Sequence, residues 1–418
     1  MRNWTSMLAY APITLVLALP LAVAMGEPPS QARTAPSVSA TQPRDSPTGR
    51  RVARTWAPTY MADAHVYSRS EAVAVARRFD LVVAMPIAFA PHVAAMRATN
   101  PRLRILAYSN ATLAVPGTVG GLPESAFAHD LRGHRIVSAR WGSYLMEPSS
   151  PAWRRAATRQ CRHRAALGGY DGCLVDMMTL GIFSRGLVGA LPVVPGTGRV
   201  YSEWQYRDQL LRLGRRYTAS TPGLDLVANV MENGYRYWAA PVTSRPLALR
   251  MPGAQMEDFL RGAGDPVTSV PVGADWRRDF RVVRDLGRHH VLGLFTTKLW
   301  VGASRAQVAR WQAYAMATFL LGSDGRSYFA FTSSRTRAGA TGADLPYRMP
   351  KRLGASLRPA RLLESGAMKR RFEHGVAVVN PTRHWSEVHL GRSYRTLGGR
   401  RVHRLTLAPG TGDVLVAR

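Results

Sequence analysis

Lysine is nearly missing from this chain. Of its 418 residues only Lys298, Lys351 and Lys369 are lysines, yet Lys and Arg together total 56. Carboxylates are scarce as well: 26 Asp and Glu leave a formal charge of +30, almost all of it arginine. Such a field attracts nucleic acid, anionic lipid or acidic cell-wall polymer. An Arg- and Ala-rich, Lys-poor composition is also what GC-rich coding produces. The arginines are scattered rather than gathered in one block, and no nucleic-acid-binding signature uses them. Nucleic acid is therefore not expected as a partner, and an anionic cell-wall polymer stays open as one.

Other absences narrow the chemistry. Two cysteines, Cys161 and Cys173, are too few for a cysteine-rich zinc site. There is no Gly-x-Ser-x-Gly nucleophile elbow and no P-loop. No glycine-rich turn follows the first strand, near Tyr60 to Tyr67, which excludes a Rossmann fold. His289 and His290 are adjacent and cannot easily serve one metal from a strand. No metal, no organic cofactor and no obligate protein partner is expected.

What is present points to a large globular core, with 46% hydrophobic residues. The N-terminus reads as an export signal. Arg2 precedes an apolar run from Met7 to Val23, and Ala22-Val23-Ala24 fits the small-x-small cleavage rule. Residues 1–24 are thus expected to be a signal peptide, with an uncleaved anchor as the alternative. Internal Pro12 and Pro20 favour cleavage. Residues 25–52, rich in Pro, Ser, Thr and Ala, read as a linker. The protein is expected to be secreted or held at the cell envelope.

From residue 53 apolar strand-like runs alternate with helical patterns. The runs are Thr55 to Tyr60, Leu81 to Pro86, Arg104 to Asn110, Gly172 to Met178, Asp225 to Met231, Leu249 to Glu257, His290 to Thr296 and Ser327 to Phe331. Ser68, Ser202 and Pro151 mark helix starts. Eight strands over roughly 280 residues suit an α/β fold of the (β/α)8 TIM-barrel kind, spanning residues 53–350. Residues 351–418 change texture to short alternating runs, as in a small antiparallel β-domain.

A parallel barrel keeps its active site at the C-terminal ends of its strands. Two carboxylates fall there: Asp176, ending Gly172 to Asp176, and Glu257, ending the sixth run, with Asp258 pointing the other way. Facing carboxylates are what glycoside hydrolysis requires, one to protonate the leaving oxygen and one to attack or activate water. Tyr60, Asp63, Tyr108, Asn110, Asn229, Asn233, Lys298 and Tyr328 are candidate substrate-binding groups. Trp56, Trp141, Trp238 and Trp300 could stack on sugar rings. Each of these residues could instead serve packing or ion pairing. Cys161, in the helix before the strand of Cys173, could reach it across the Gly168-Gly169 turn; two unpaired buried thiols are the alternative.

Several motifs together resemble the hypothetical glycosyl hydrolase-like 15 family. They are Tyr144-Leu145-Met146-Glu147-Pro148 with Pro151-Ala152-Trp153-Arg154, Tyr170-Asp171-Gly172 through Asp176, and Met256-Glu257-Asp258-Phe259. Glu124 to Asp130, Thr318 to Gly322 and Arg371 to Gly375 leading into Asn380-Pro381 extend the likeness over residues 55–418. The chain departs from the family's pattern at Glu147, where aspartate is expected. The resemblance implies a barrel with a C-terminal β-domain, polysaccharide-directed hydrolysis, and Asp176 and Glu257 as strand-end carboxylates. The expectation is a secreted glycosidase that cleaves O-glycosidic bonds of a polysaccharide. A non-catalytic carbohydrate-binding barrel and a basic protein that binds acidic polymers are the alternatives.

Overall fold

The computed structural model describes residues 51–61, 65–183, 186–333 and 349–417. The expected signal peptide, nearly all of the expected linker, and Asp63 lie outside the described residues.

Eight parallel strands form one sheet in sequential order. They are β1 (Trp56–Tyr60), β2 (Leu81–Ala84), β3 (Arg104–Asn110), β4 (Gly172–Asp176), β5 (Asp225–Met231), β6 (Gly253–Met256), β7 (Leu292–Leu299) and β8 (Tyr328–Ser333). A bridge between Thr55 and Phe329 joins the last strand to the first, so the sheet curls into a nearly closed barrel. The helices around it are α1 (Arg69–Arg78), α2 (Val93–Thr99), α3 (Pro151–Gly168), α4 (Glu203–Ser220), α5 (Gly234–Trp238), α6 (Arg245–Arg250), α7 (Ala274–Arg288) and α8 (Arg305–Gly322). This is the (β/α)8 barrel expected from the alternating pattern.

Local chemistry sets the helix starts. Ser68 with Glu71, Ser202 with Gln205, and Ser304 with Gln307 form capping boxes at α1, α4 and α8. Ser150 caps α3 ahead of Pro151, and Gly169 ends it with φ 63°. The sixth strand is shorter than expected, because Leu249 and Arg250 belong to α6. Pro252 cannot continue that helix, and the strand begins only at Gly253. A side chain at Gly253 would stand 2.9 Å from the Leu226 carbonyl, and one at Gly172 would overlap the Asp225 carbonyl. Neighbouring strands approach too closely there for anything but glycine.

Side chains alternate along the strands, apart from irregularities in β1 and β5. Leu81, Val83, Leu106, Leu174, Val227 and Leu294 fill the barrel interior, whereas Val82, Ile105, Cys173, Val175 and Ala228 face the helices. Cys161 of α3 and Cys173 of β4 are joined by a disulfide, with Cα atoms 6.0 Å apart.

The C-terminal sheet contains β9 (Arg361–Leu362), β10 (Met368–Phe372), β11 (Gly375–Asn380), β12 (Ser386–Thr396), β13 (Arg401–Leu407) and β14 (Thr411–Val416). Its order is β9-β10-β11-β14-β12-β13, all antiparallel. It packs on α8. The buried Arg370 donates to the Leu320 and Ser323 carbonyls at 2.9 and 2.6 Å, closing the C-terminal end of that helix.

Candidate active site

The period of two that buries Leu106, Leu174, Val227 and Leu294 carries the next inward positions to the barrel's C-terminal mouth. Tyr108, Asp176 and Asn229 are those positions on β3, β4 and β5, and Lys298 lies two inward steps beyond Leu294 on β7, past Thr296. Glu257 follows β6 directly. Five polar side chains thus converge from five consecutive strands.

Their hydrogen bonds form one chain. The Tyr108 hydroxyl donates to Asp176 Oδ2 at 2.6 Å. Asn229 Nδ2 donates to Asp176 Oδ1 at 2.7 Å and to Glu257 Oε1 at 2.8 Å. The Met177 amide adds a third donor to Asp176, at 2.7 Å. Lys298 Nζ lies 2.8 Å from Glu257 Oε2 and 3.6 Å from Asp258 Oδ1. Trp300 stands beside this lysine, its ring centre 5.5 Å from Nζ.

Burial raises the Asp176 carboxyl above the usual carboxylate range, and the Glu257 charge raises it further; its three donors oppose both. Burial and then the Asp176 charge push the Tyr108 hydroxyl well above its usual value. Tyr108 therefore stays protonated and keeps donating. The carboxylates differ in access: Glu257 is 30% exposed at the mouth, whereas Asp176 is fixed from three sides.

A cavity of 290 Å³ opens beside Asp258, lined by Asn233, Tyr235, Arg261, Asp265 and Asp279 among others. It adjoins the carboxylate pair through Asp258, which shares Lys298 with Glu257. Arg261 is buried, and among the described residues its Nη1 has no hydrogen-bond partner. Asp279 joins two walls of the cavity: its oxygens accept from the Gly234 amide at 2.7 Å and the Leu260 amide at 2.6 Å. Leu260 needs that support, since its φ is 66°.

Not every expected residue arrives at the mouth. Tyr60 does not: a register shift in β1 after Ala57 turns it outward, where it is buried edge-on against Tyr67 and Phe89. Tyr328 is the first residue of β8, so it sits at the opposite end of the barrel, buried beneath the Arg54 guanidinium. Asn110 stands beside Asp176 in the sheet but uses its Oδ1 to accept the Thr112 and Leu113 amides, turning the loop. Asn233 lines the adjoining cavity and caps α5. Trp56 is core, donating to the Phe295 carbonyl. Trp238 lies against the Arg245 and Arg281 guanidiniums. Trp141 is exposed on a loop beside Arg140. Glu147 is buried, where it accepts from the Tyr201 hydroxyl and the Ser149 amide.

Arg261, Asp265 and Asp279 carry no strand-end signal. Only Asp279 left a trace, as a carboxylate on the apolar stripe of α7 between Trp276, Phe280 and Val283. Among the described residues no group of three or more His, Cys, Asp or Glu side chains is arranged to hold a metal ion.

No protein-family model matches the chain, and no curated protein matches it. Solved structures do. A type I pullulanase from Bacillus subtilis, complexed with maltose, superposes with a TM-score of 0.51 at 12% identity, over 92% of this chain and 72% of that one. A noncanonic maltogenic alpha-amylase from Thermotoga neapolitana gives 0.48 at 10%, covering 87% and 97%. A GH36 alpha-galactosidase from Geobacillus stearothermophilus gives 0.44 at 11%, covering 89% and 56%. At these identities the likeness is one of fold alone.

Proposed function

We propose that the protein is an exported glycoside hydrolase that cleaves a polysaccharide with retention of anomeric configuration. One observation carries the reading. Asp176 Oδ1 and Glu257 Oε1 sit on a single nitrogen of Asn229, at 2.7 and 2.8 Å. Those two oxygens are therefore no more than about 5.5 Å apart, a close pairing that favours retention over the wider spacing with which inverting enzymes admit a water.

The surroundings support a division of roles. Asp176, immobilised by three donors, is the nucleophile that forms a covalent glycosyl-enzyme. Glu257, open to solvent, is the acid and base, because that group must exchange its proton with water. Lys298 lies between Glu257 and Asp258. While Glu257 is protonated the ammonium is held by Asp258, and as the proton leaves for the glycosidic oxygen it stabilises the Glu257 carboxylate. Asn229 and Tyr108 orient the pair. The 290 Å³ cavity offers carboxylates, an unpaired guanidinium nitrogen and the exposed ring of Tyr235, a set suited to sugar hydroxyls and a sugar face, so the glycan runs from the mouth over Asp258. Kinship with the hypothetical glycosyl hydrolase-like 15 family fits the strand positions of both carboxylates.

The test is a panel of bacterial and plant polysaccharides with a reducing-end readout, using the native chain, Asp176→Asn and Glu257→Gln. Release by the native protein alone supports hydrolysis and identifies the substrate class. Glycan binding without release identifies a lectin-like barrel instead. Equal release by all three proteins removes the carboxylates from the mechanism.

A further inference from the structure

Some arginines of the barrel are matched by a carboxylate. Arg97 meets Asp171, Arg236 meets Glu203, and Arg245 meets Asp285, each at 2.8 Å. The outer face of α3 and α4 is different. Arg155, Arg159 and Arg162 on α3 and Arg212, Arg215 and Arg216 on α4 are all exposed. Among the described residues none of the six makes an ion pair or a side-chain hydrogen bond. Helix α3 contains no carboxylate at all. The two on α4, Glu203 and Asp208, lie in its first third and are engaged by Arg236 and Arg207.

Between the helices lies a cleft of 450 Å³ whose lining includes Arg155, Arg159, Arg162 and Arg216, with Thr158 and Ser220 and no acidic residue. Like charges three and four residues apart on a helix repel, at a cost of about 0.2–0.5 kcal/mol per pair. Arg155, Arg159 and Arg162 repeat that spacing on one helix, and Arg212, Arg215 and Arg216 on the other. A polyanion bound along this face would relieve the repulsion, as salt does in part. The arginines of α3 extend over ~10 Å of helix, enough to meet successive groups of a polymer.

We propose that this cleft is a second binding site, separate from the barrel mouth, for a single chain of acidic polysaccharide whose carboxylate or phosphate groups pair with the guanidiniums. Its lining has no aromatic ring on which bases could stack, which disfavours single-stranded nucleic acid. The site holds the enzyme on an anionic glycan while the mouth works on its substrate, and it does not depend on the hydrolytic reading.

The test uses the full chain and polygalacturonate, with neutral dextran, sheared duplex DNA and anionic phospholipid vesicles as comparisons. The triple variant Arg155→Gln/Arg159→Gln/Arg162→Gln is set against Arg383→Gln/Arg400→Gln/Arg401→Gln, which removes the same charge from the exposed C-terminal sheet. The cleft triple should bind polygalacturonate at least about tenfold more weakly, and the control within about threefold of native. Arg159→Gln alone, at an exposed helical position, serves if the triple does not fold, and should lose about threefold. Equal losses in both triples reduce the effect to net charge and overturn the site. Tighter binding of DNA or vesicles than of polygalacturonate overturns the choice of ligand. Repeating the measurement in Asp176→Asn separates this binding from turnover at the mouth.

Discussion

Asp176 and Glu257 each place one oxygen on the side-chain nitrogen of Asn229, at 2.7 and 2.8 Å. The amide fixes the distance between the two groups on which the proposed chemistry depends. Replacing it with Asn229→Ala leaves both carboxylates present and held by their other partners, but no longer tied to each other. The expected loss in kcat is about a hundredfold, within the range for misplacing an acid–base group, with little change in melting temperature. Steady-state kinetics with thermal unfolding checks it, and unaltered kcat would deny the amide any positioning role.

The Glu257 charge contributes to the raised affinity of Asp176 for its proton. Glu257→Gln removes that charge, so the Asp176 carboxyl should then titrate at lower pH. An aryl glycoside with a good leaving group needs no acid, and on it the acidic limb of the rate profile should move down in the variant. An unmoved limb would show that the two groups do not interact.

Lys298→Met should slow cleavage of poor leaving groups far more than that of activated aryl glycosides. The ammonium assists only as Glu257 gives up its proton. A comparison of kcat across leaving groups of graded acidity measures this, and a uniform loss would point to a purely structural lysine.

The fold was legible in the sequence because burial and capping leave periodic marks. Apolar strand runs and capped helix starts such as Ser68 and Ser202 identified most elements, and the rule that a barrel's site lies at its strand ends pointed to Asp176, Glu257 and Lys298. Tyr60 and Tyr328 show where that reading stops. A register shift reversed the face of Tyr60, and the polarity of β8 placed Tyr328 at its start instead of its end. Neither a bulge nor the end of a strand is encoded by the residue type alone. The cavity beside Asp258 was illegible for another reason: its residues come from loops and a helix brought together only by closure of the barrel. Tyr328→Phe should accordingly leave kcat within about twofold of native, whereas Tyr108→Phe, which removes a donor from Asp176, should cost about tenfold or more.

The disulfide between Cys161 and Cys173 closes a loop with a sequence separation of 12. Loops of that order are stabilised by roughly 3 kcal/mol through the unfolded chain. Cys161→Ser/Cys173→Ser should lower the melting temperature by about 4 °C while leaving kcat intact well below it. A loss of kcat at low temperature would mean that the bond also positions β4, and with it Asp176.

Burial lifts Asp279 to about 7. In the unfolded chain the group titrates near ~3.9. Its folded form therefore holds a proton that the unfolded form has released, and its contribution to stability is largest below about pH 4. That contribution is lost progressively as pH rises through 7. Asp279→Asn removes the slope, so native and variant melting temperatures should converge or cross between pH 4.5 and 7.5. Parallel curves would contradict the assigned shift.

The most direct test of the central claim is a proton NMR time course of hydrolysis, recorded before mutarotation, on whichever glycan the native protein cleaves. The first product should carry the same anomeric configuration as the bond that was cut. A first product of opposite configuration would contradict the close-paired, covalent role assigned to Asp176 and Glu257.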